Sequence, residues 1–265
     1  MRIWITSGLA LALLGALSLN MGDAAQGGGW GTIKGQVVWD GPDVPKRTLI
    51  DLGNNPDKAA CLKNGPLREE KLVVNPKNKG VRWCLVYLMN VKGFDKDIPI
   101  HPNLKAIKNK TVEIDQPCCM FEPHVLAMRE GQTLIFKNSA AFAHNVNLQG
   151  GAKGPSINPL IPPGGQVKVE DIVARYIPME VRCNIHGWMS GRIAVLKNPY
   201  FAVTDADGKF EIKDAPAGQF SLVVWNENNG WIIGDKGPSR SGKKIAIKKG
   251  ETTDLGKIPM QPPKD

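Results

Sequence analysis

Histidine is scarce in this sequence of 265 residues: there are four, His101, His124, His144 and His186. So few imidazoles exclude an oxidase that would need several histidine clusters for oxygen chemistry. The hydrolase motifs G-x-S-x-G and H-E-x-x-H are absent. No phosphate-cradling loop is present either, since "QGGGWG" at Gln26 to Gly31 reads as a flexible start. No C-x-x-C-H sequence is available to attach a haem. Catalysis on an organic substrate is therefore not expected. The basic run "SGKKIAIKKGE" near the C-terminus has no interleaved aromatics, which argues against nucleic acid as a partner. Its alternation of Lys with Ile and Ala reads instead as an edge strand with a solvated lysine face.

Long apolar runs are also missing, with one exception at the start. In "MRIWITSGLALALLGALSLNMGDAAQ", Arg2 precedes an apolar run from about Ile5 to Leu19, followed by the small residues Gly22, Ala24 and Ala25. This reads as a secretory signal peptide over residues 1–25. The run is shorter than the ~20 residues a bilayer span needs, so a retained anchor is the alternative and removal the expectation. The mature chain would then be exported, to a periplasmic or extracellular location, with no integral membrane span. Its net charge of +9 would suit an acidic protein partner or an anionic cell surface.

Five cysteines, Cys61, Cys84, Cys118, Cys119 and Cys183, are an odd number for an oxidising compartment, so one must be otherwise occupied. If Cys183 serves a metal, the other four can form two disulfides. Cys118 and Cys119 are neighbours that point to opposite faces of an extended segment, so each needs its own partner. Cys61 and Cys84 are the candidates, with the pairing open.

Between Gln26 and Asp265 the apolar residues come in short alternating runs, such as "TIKGQVVW", "RWCLVYL", "QTLIFKN" and "YIPMEVRC". These predict many strands. The 29 glycines and 20 prolines fall mostly between the runs, as in "GPDVP", "IPPGG" and "DAPAG", where they mark turns. No helical stripe is convincing, so the fold class is all-β, one or two sandwiches. In "FAVTDADGKFEIKDAPAGQFSLVVW", the turns "DADG" and "DAPAG" separate three strands as successive hairpins would. A calcium loop is excluded there: counting from Asp205, Gly208 stands fourth rather than sixth, and no closing glutamate follows. This stretch, Phe201 to Trp225, resembles the carboxypeptidase regulatory-like (prealbumin-like) β-sandwich, a structural or interaction module without catalytic residues. The opening strand of that family looks like "GTIKGQVVWDG" at Gly31 to Gly41, so residues 31–41 are a candidate to pair with a C-terminal sandwich of residues 198–262. The sandwich would then be discontinuous.

The most specific pattern is Cys183-x2-His186-x2-Met189 in "VRCNIHGWMSG"; random placement of these residue types gives about 0.002 such matches. "MEVRC" reads as a strand ending at Cys183, and "NIHGWMSG" as a tight loop before "RIAVL". His144, between two strands in "FKNSAAFAHNVNL", can supply a second imidazole. One thiolate, two imidazoles and a weak axial thioether form a trigonal site that suits copper in both oxidation states. Zinc would not use the thioether. His101, in the Pro-flanked "IPIHPNL", reads as a surface residue. His124 reads either as a further ligand or supporting partner of the metal, or as a strand histidine with local hydrogen bonds. Trp188 reads either as apolar cover over the metal or as part of a partner contact.

The run from Phe121 to Leu196 resembles the cupredoxins, small blue copper proteins with a Greek-key β-sandwich. "EGQTLIFKNSAAFAHNV" resembles the plastocyanin stretch that carries the first histidine ligand, and C-x2-H-x2-M has the short spacing of the amicyanin ligand loop. The resemblance implies one type 1 copper held by His144, Cys183, His186 and Met189, with Asn145 tying the two ligand loops together. A cupredoxin-like domain over residues 30–197 is expected, followed by the second sandwich. The combination also resembles exported bacterial proteins described as methylamine-utilisation-like. The function implied is one-electron transfer with a redox protein partner, docked over the His186 and Trp188 side. A copper-handling protein without a redox partner, or a non-catalytic interaction or scaffold module, are the alternatives.

Overall fold

The computed structural model describes residues 28–151 and 154–263, so the signal-peptide reading of residues 1–25 lies outside the described residues. Among the described residues helix is confined to two single turns, Lys58–Cys61 and Pro102–Lys105. None of these helices is long and apolar enough to cross a membrane. The alternating runs form strands, because one apolar face per strand is what a sandwich core takes up. One core is enclosed by two sheets. The larger runs in the order Ser156–Ile157, Asn147–Gln149, Met179–Arg182, Ser190–Leu196 and Val125–Arg129; the smaller in the order Gln166–Val169, Thr133–Lys137 and Thr111–Ile114. Met128, Leu134, Phe136, Leu148, Val181 and Ile193 fill the space between them.

A second core sits under Trp30–Trp39, which pairs antiparallel with Lys209–Pro216 on one side and parallel with Thr252–Met260 on the other. Opposite lies a sheet of Phe201–Val203, Leu85–Met89 and Gly218–Asn226, extended by Gly230–Trp231 and by Lys243–Ile247. Lys243–Ile247 pairs only with Gly218–Asn226 and turns Ile245 and Ile247 inward, leaving both its lysines exposed. The pairing of Leu85–Met89 differs from a division of the chain at residue 197. That strand hydrogen-bonds to Phe201–Val203 and Gly218–Asn226, so the first sandwich is an insertion between parts of the second. The reason is visible in "LVYLM": all five residues are buried, as in a strand covered on both faces.

The outer cover of that strand is the first sandwich. Val86 and Leu88 enter the second core, while Leu85, Tyr87 and Met89 join Val223, Trp225, Ala194 and Leu196 in a third apolar cluster where the sandwiches meet. Beside it lies an ionic cluster. His124 Nε2 is 2.7 Å from Glu227 Oε2, and Arg192 reaches Glu227 at 3.0 Å and Glu180 at 3.2 Å. Burial acts to raise the Glu227 carboxyl, but the contacts with His124 and Arg192 outweigh it and hold it below the usual range.

The two expected disulfides reduce to one, Cys61–Cys119, with Cα atoms 5.3 Å apart. Cys84 and Cys118 are free. Cys84 cannot serve Cys118 because it lies in the second core, where burial pushes its thiol up to about 12. Cys118 is half-buried against the first core, its Sγ 3.5 Å from the Cys61 carbonyl.

Glu227 is the one acceptor that both His124 and Arg192 share across the junction. Removing it takes the 2.7 Å partner from the buried His124 ring and leaves Arg192 only Glu180, so Glu227→Ala is expected to cost roughly 3 kcal/mol. Urea unfolding measures this; an unchanged midpoint would mean that the junction stands on its apolar cluster alone.

Candidate metal centre

Strand Met179–Arg182 ends at the rim of the first sandwich, and the chain crosses to Ser190–Leu196 through a seven-residue loop that folds back on itself. The Cys183 N–H donates to the Met189 carbonyl at 3.2 Å, and the Met189 N–H to the His186 carbonyl at 2.8 Å. These bonds explain why residues three apart converge: Cys183, His186 and Met189 are all buried at the end of one core. His144 arrives from a second segment. The short strand His144–Asn145 pairs with Leu160–Ile161 and turns the imidazole inward.

Three donor atoms then form a triangle. Cys183 Sγ lies 3.8 Å from His144 Nδ1 and 3.7 Å from His186 Nδ1, and the two nitrogens are 3.0 Å apart. A point about 2 Å from all three lies inside that triangle, the reach of nitrogen and sulfur bonds to a transition metal. Burial and the neighbouring His186 bring the His144 imidazole down to about 4. Burial lowers His186 as well, against the opposing pull of Asp57. Both rings are thus neutral at ordinary pH, with lone pairs free for a cation. Two imidazoles and a thiolate with a buried methionine on the same loop fit copper by donor chemistry.

Asn145 joins the two segments. Its Oδ1 accepts from the Asn184 N–H at 2.6 Å, from the Ile185 N–H at 3.3 Å, and from Cys183 Sγ at 3.3 Å. Its amide in turn donates to Asn158 Oδ1. Phe142 covers both imidazoles, with ring centroids 5.1 Å from His144 and 5.6 Å from His186. Trp188 lies beside His186 and donates its indole N–H to the Cys119 carbonyl at 3.2 Å.

Other residues fall elsewhere. His124 does not join the donors; its ring turns to Glu227 at the junction of the sandwiches, so a supporting role at the metal is not what its contacts provide. His101 accepts the Asn103 N–H through Nδ1 and packs its ring on Trp30. One residue was not legible in the sequence: Asp57 Oδ2 lies 3.1 Å from His186 Nε2, across 129 positions of chain. Asp57 precedes the helical turn Lys58–Cys61, and the Cys61–Cys119 bridge lies close to His186 on the same side. His186 is fully buried as a result. The edge over which a partner was expected to dock is therefore closed by this segment.

No family model matches the sequence, and no curated protein matches it. Solved structures do resemble parts of the chain. A purple cupredoxin from Nitrosopumilus maritimus is 19% identical over 31% of this chain and 97% of its own, with a TM-score of 0.26. An oxidised mutant of amicyanin is 21% identical over 34% of this chain and 85% of its own, at 0.30. A copper-containing nitrite reductase from Thermus scotoductus is 21% identical over 37% of this chain and 25% of its own, also at 0.30. With scores this low, the metal assignment rests on the donor geometry.

Asn145→Ala leaves the Asn184 and Ile185 amides without their acceptor. A loss of about 1–3 kcal/mol is expected, the combined worth of two part-buried hydrogen bonds at about 0.5–1.5 kcal/mol each. Guanidinium unfolding of the metal-free protein measures it, and a loss well under 1 kcal/mol would remove Asn145 as the tie between the loops.

Proposed function

We propose that this chain is an exported type 1 copper protein that carries single electrons. The observation that supports this most directly is the buried triangle of His144 Nδ1, Cys183 Sγ and His186 Nδ1, with Met189 on the same loop. Copper bound there would supply a one-electron couple. The chain's own part is to keep the donors in one arrangement for both charge states. Cys183 and His186 are fixed by the loop's internal bonds, His144 by its pairing with Ile161, and the two segments by Asn145. Phe142 and the Asp57 segment keep water from the imidazoles.

An organic substrate is not part of this reading. Of the four imidazoles, His101 and His124 have partners elsewhere, which leaves two for a metal and none for a separate acid or base. The redox partner proposed here would meet the apolar residues exposed around Asn145. Leu160, paired with Asn145, is 63% exposed, and Ile185, beside His186 in the loop, is 40% exposed. The second sandwich is proposed as a carboxypeptidase regulatory-like module; its support is the pairing of Trp30–Trp39 with Lys209–Pro216, while the strands flanking "DADG" and "DAPAG" cross between the two sheets and do not form the expected hairpins. A copper-handling protein without a redox partner is the second reading; it would require the segment from Asp57 to Cys61 that covers His186 to move aside.

Adding Cu(II) to the mature protein is expected to give an intense thiolate-to-copper absorption in the visible range and a narrow copper splitting in electron paramagnetic resonance. Cys183→Ala is expected to abolish both. A weak, ordinary copper spectrum that survives the substitution would sink the proposal. Rapid loss of copper to a chelator would favour handling over carriage.

A further inference from the structure

We infer that Asp57 is a positioning residue for His186: its carboxylate accepts the Nε2–H and thereby holds the ring as the tautomer whose Nδ1 lone pair faces Cys183 and His144. The consequence for copper rests on the function proposed above; the tautomer itself does not.

A histidine that must present one nitrogen to a metal needs a partner on the other, because in a neutral ring the proton sits on whichever nitrogen has an acceptor. His186 Nδ1 has only donors-to-be around it, Cys183 Sγ at 3.7 Å and His144 Nδ1 at 3.0 Å. Nε2 faces Asp57 Oδ2 at 3.1 Å. The His144 ring has no such carboxylate in contact; a backbone hydrogen bond at Cys118 acts on it instead. The two imidazoles are therefore held differently, and only His186 has its proton assigned by a charge.

The position of Asp57 also suits this role. An aspartate directly before a helical turn ordinarily caps it, yet the Asp57 side chain makes no capping bond and points at His186 instead. The turn it precedes is fastened at both ends. The Cys61 N–H donates to the Asp57 carbonyl at 2.9 Å, and Cys61 is bridged to Cys119. On the other side Asn55 Oδ1 accepts the Asp57 N–H at 2.9 Å, while the Asn55 amide reaches the Ile185 carbonyl of the ligand loop at 3.4 Å. Cys119 is tied to the same loop through the Trp188 indole. Three contacts thus set the carboxylate against one ring edge.

Nitrogen-15 chemical shifts of the His186 side chain distinguish the tautomers in the metal-free, full mature protein, above the pH range where histidines ionise. The wild-type ring is expected as the Nε2–H form alone. Asp57→Asn keeps an acceptor oxygen and is expected to keep that form, whereas Asp57→Ala should give a mixture, with Nδ1–H appearing. Asp57 is partly exposed, so these variants do not open the core. A wild-type ring protonated on Nδ1, or an Asp57→Ala ring still wholly Nε2–H, would overturn the inference. Because no copper is added, a failed colour test leaves this result unaffected, and a failed tautomer test leaves the colour test open.

Discussion

The amide of Asn145 is the constraint on which the candidate centre depends. Cys183 and His186 come from one loop and His144 from another segment; the pairing of Asn147 with Arg182 brings these segments side by side, but beyond it no ladder obliges the donors to meet. The Asn145 side chain supplies the obligation, by accepting the Asn184 and Ile185 N–H groups from the position next to His144. Each of these part-buried hydrogen bonds is lost if the loops separate and kept while they stay together. The same oxygen touches Cys183 Sγ at 3.3 Å, so the link between loops also bears on the sulfur.

Rigidity at the loop is inherited from further away. Ser190–Leu196 starts immediately after Met189 and is covered on both faces: Ile193 and Val195 enter the first core, and Ala194 and Leu196 pack at the junction with Tyr87 and Trp225. A strand buried on two sides has little freedom to shift its first residue. The second sandwich therefore contributes to the centre without touching it. Glu227, from the end of Gly218–Asn226, extends this coupling through Arg192, which lies on Ser190–Leu196 itself. A carrier of the kind proposed would need unchanged donor positions under a change of charge, and a strand held on both faces supports that need.

How much of this was legible in the sequence follows from contact range. Cys183, His186 and Met189 could be recognised because a tight loop brings ligands together at fixed short spacing. His144 could be placed because a residue at a strand end faces the rim where loops gather. Asn145 followed only from the likeness to blue copper proteins. The Cys61–Cys119 bridge, the isolation of Cys84 and the contact of Asp57 with His186 span 58 to 129 positions or different cores, and no local period encodes them. "LVYLM" did carry a sign of its place: an apolar run without alternation denotes cover on both faces, which a single peripheral sandwich would not provide. His124 shows the opposite limit. Its residue type suggested a metal, but the contact that occupies it, Glu227, is 103 positions away.

Charge counting connects Asp57 to the proposed carrier. With neutral imidazoles, a metal-bound Cys183 thiolate and the Asp57 carboxylate bring two negative charges to one buried region. A divalent ion balances them, whereas a monovalent ion leaves one negative charge in excess, in a medium where an unbalanced charge is poorly solvated. If the donors hold a redox couple as proposed, Asp57 would favour its higher charge state. Partial exposure of its carboxylate moderates the effect, because water screens the side that faces out. The closed His186 edge works alongside it: an ion entering or leaving must displace the segment from Asn55 to Cys61, which the disulfide and the Trp188 contact resist. An electron needs no such opening. Under the proposed function, a site closed at this edge would suit the passage of electrons more than the release of an ion.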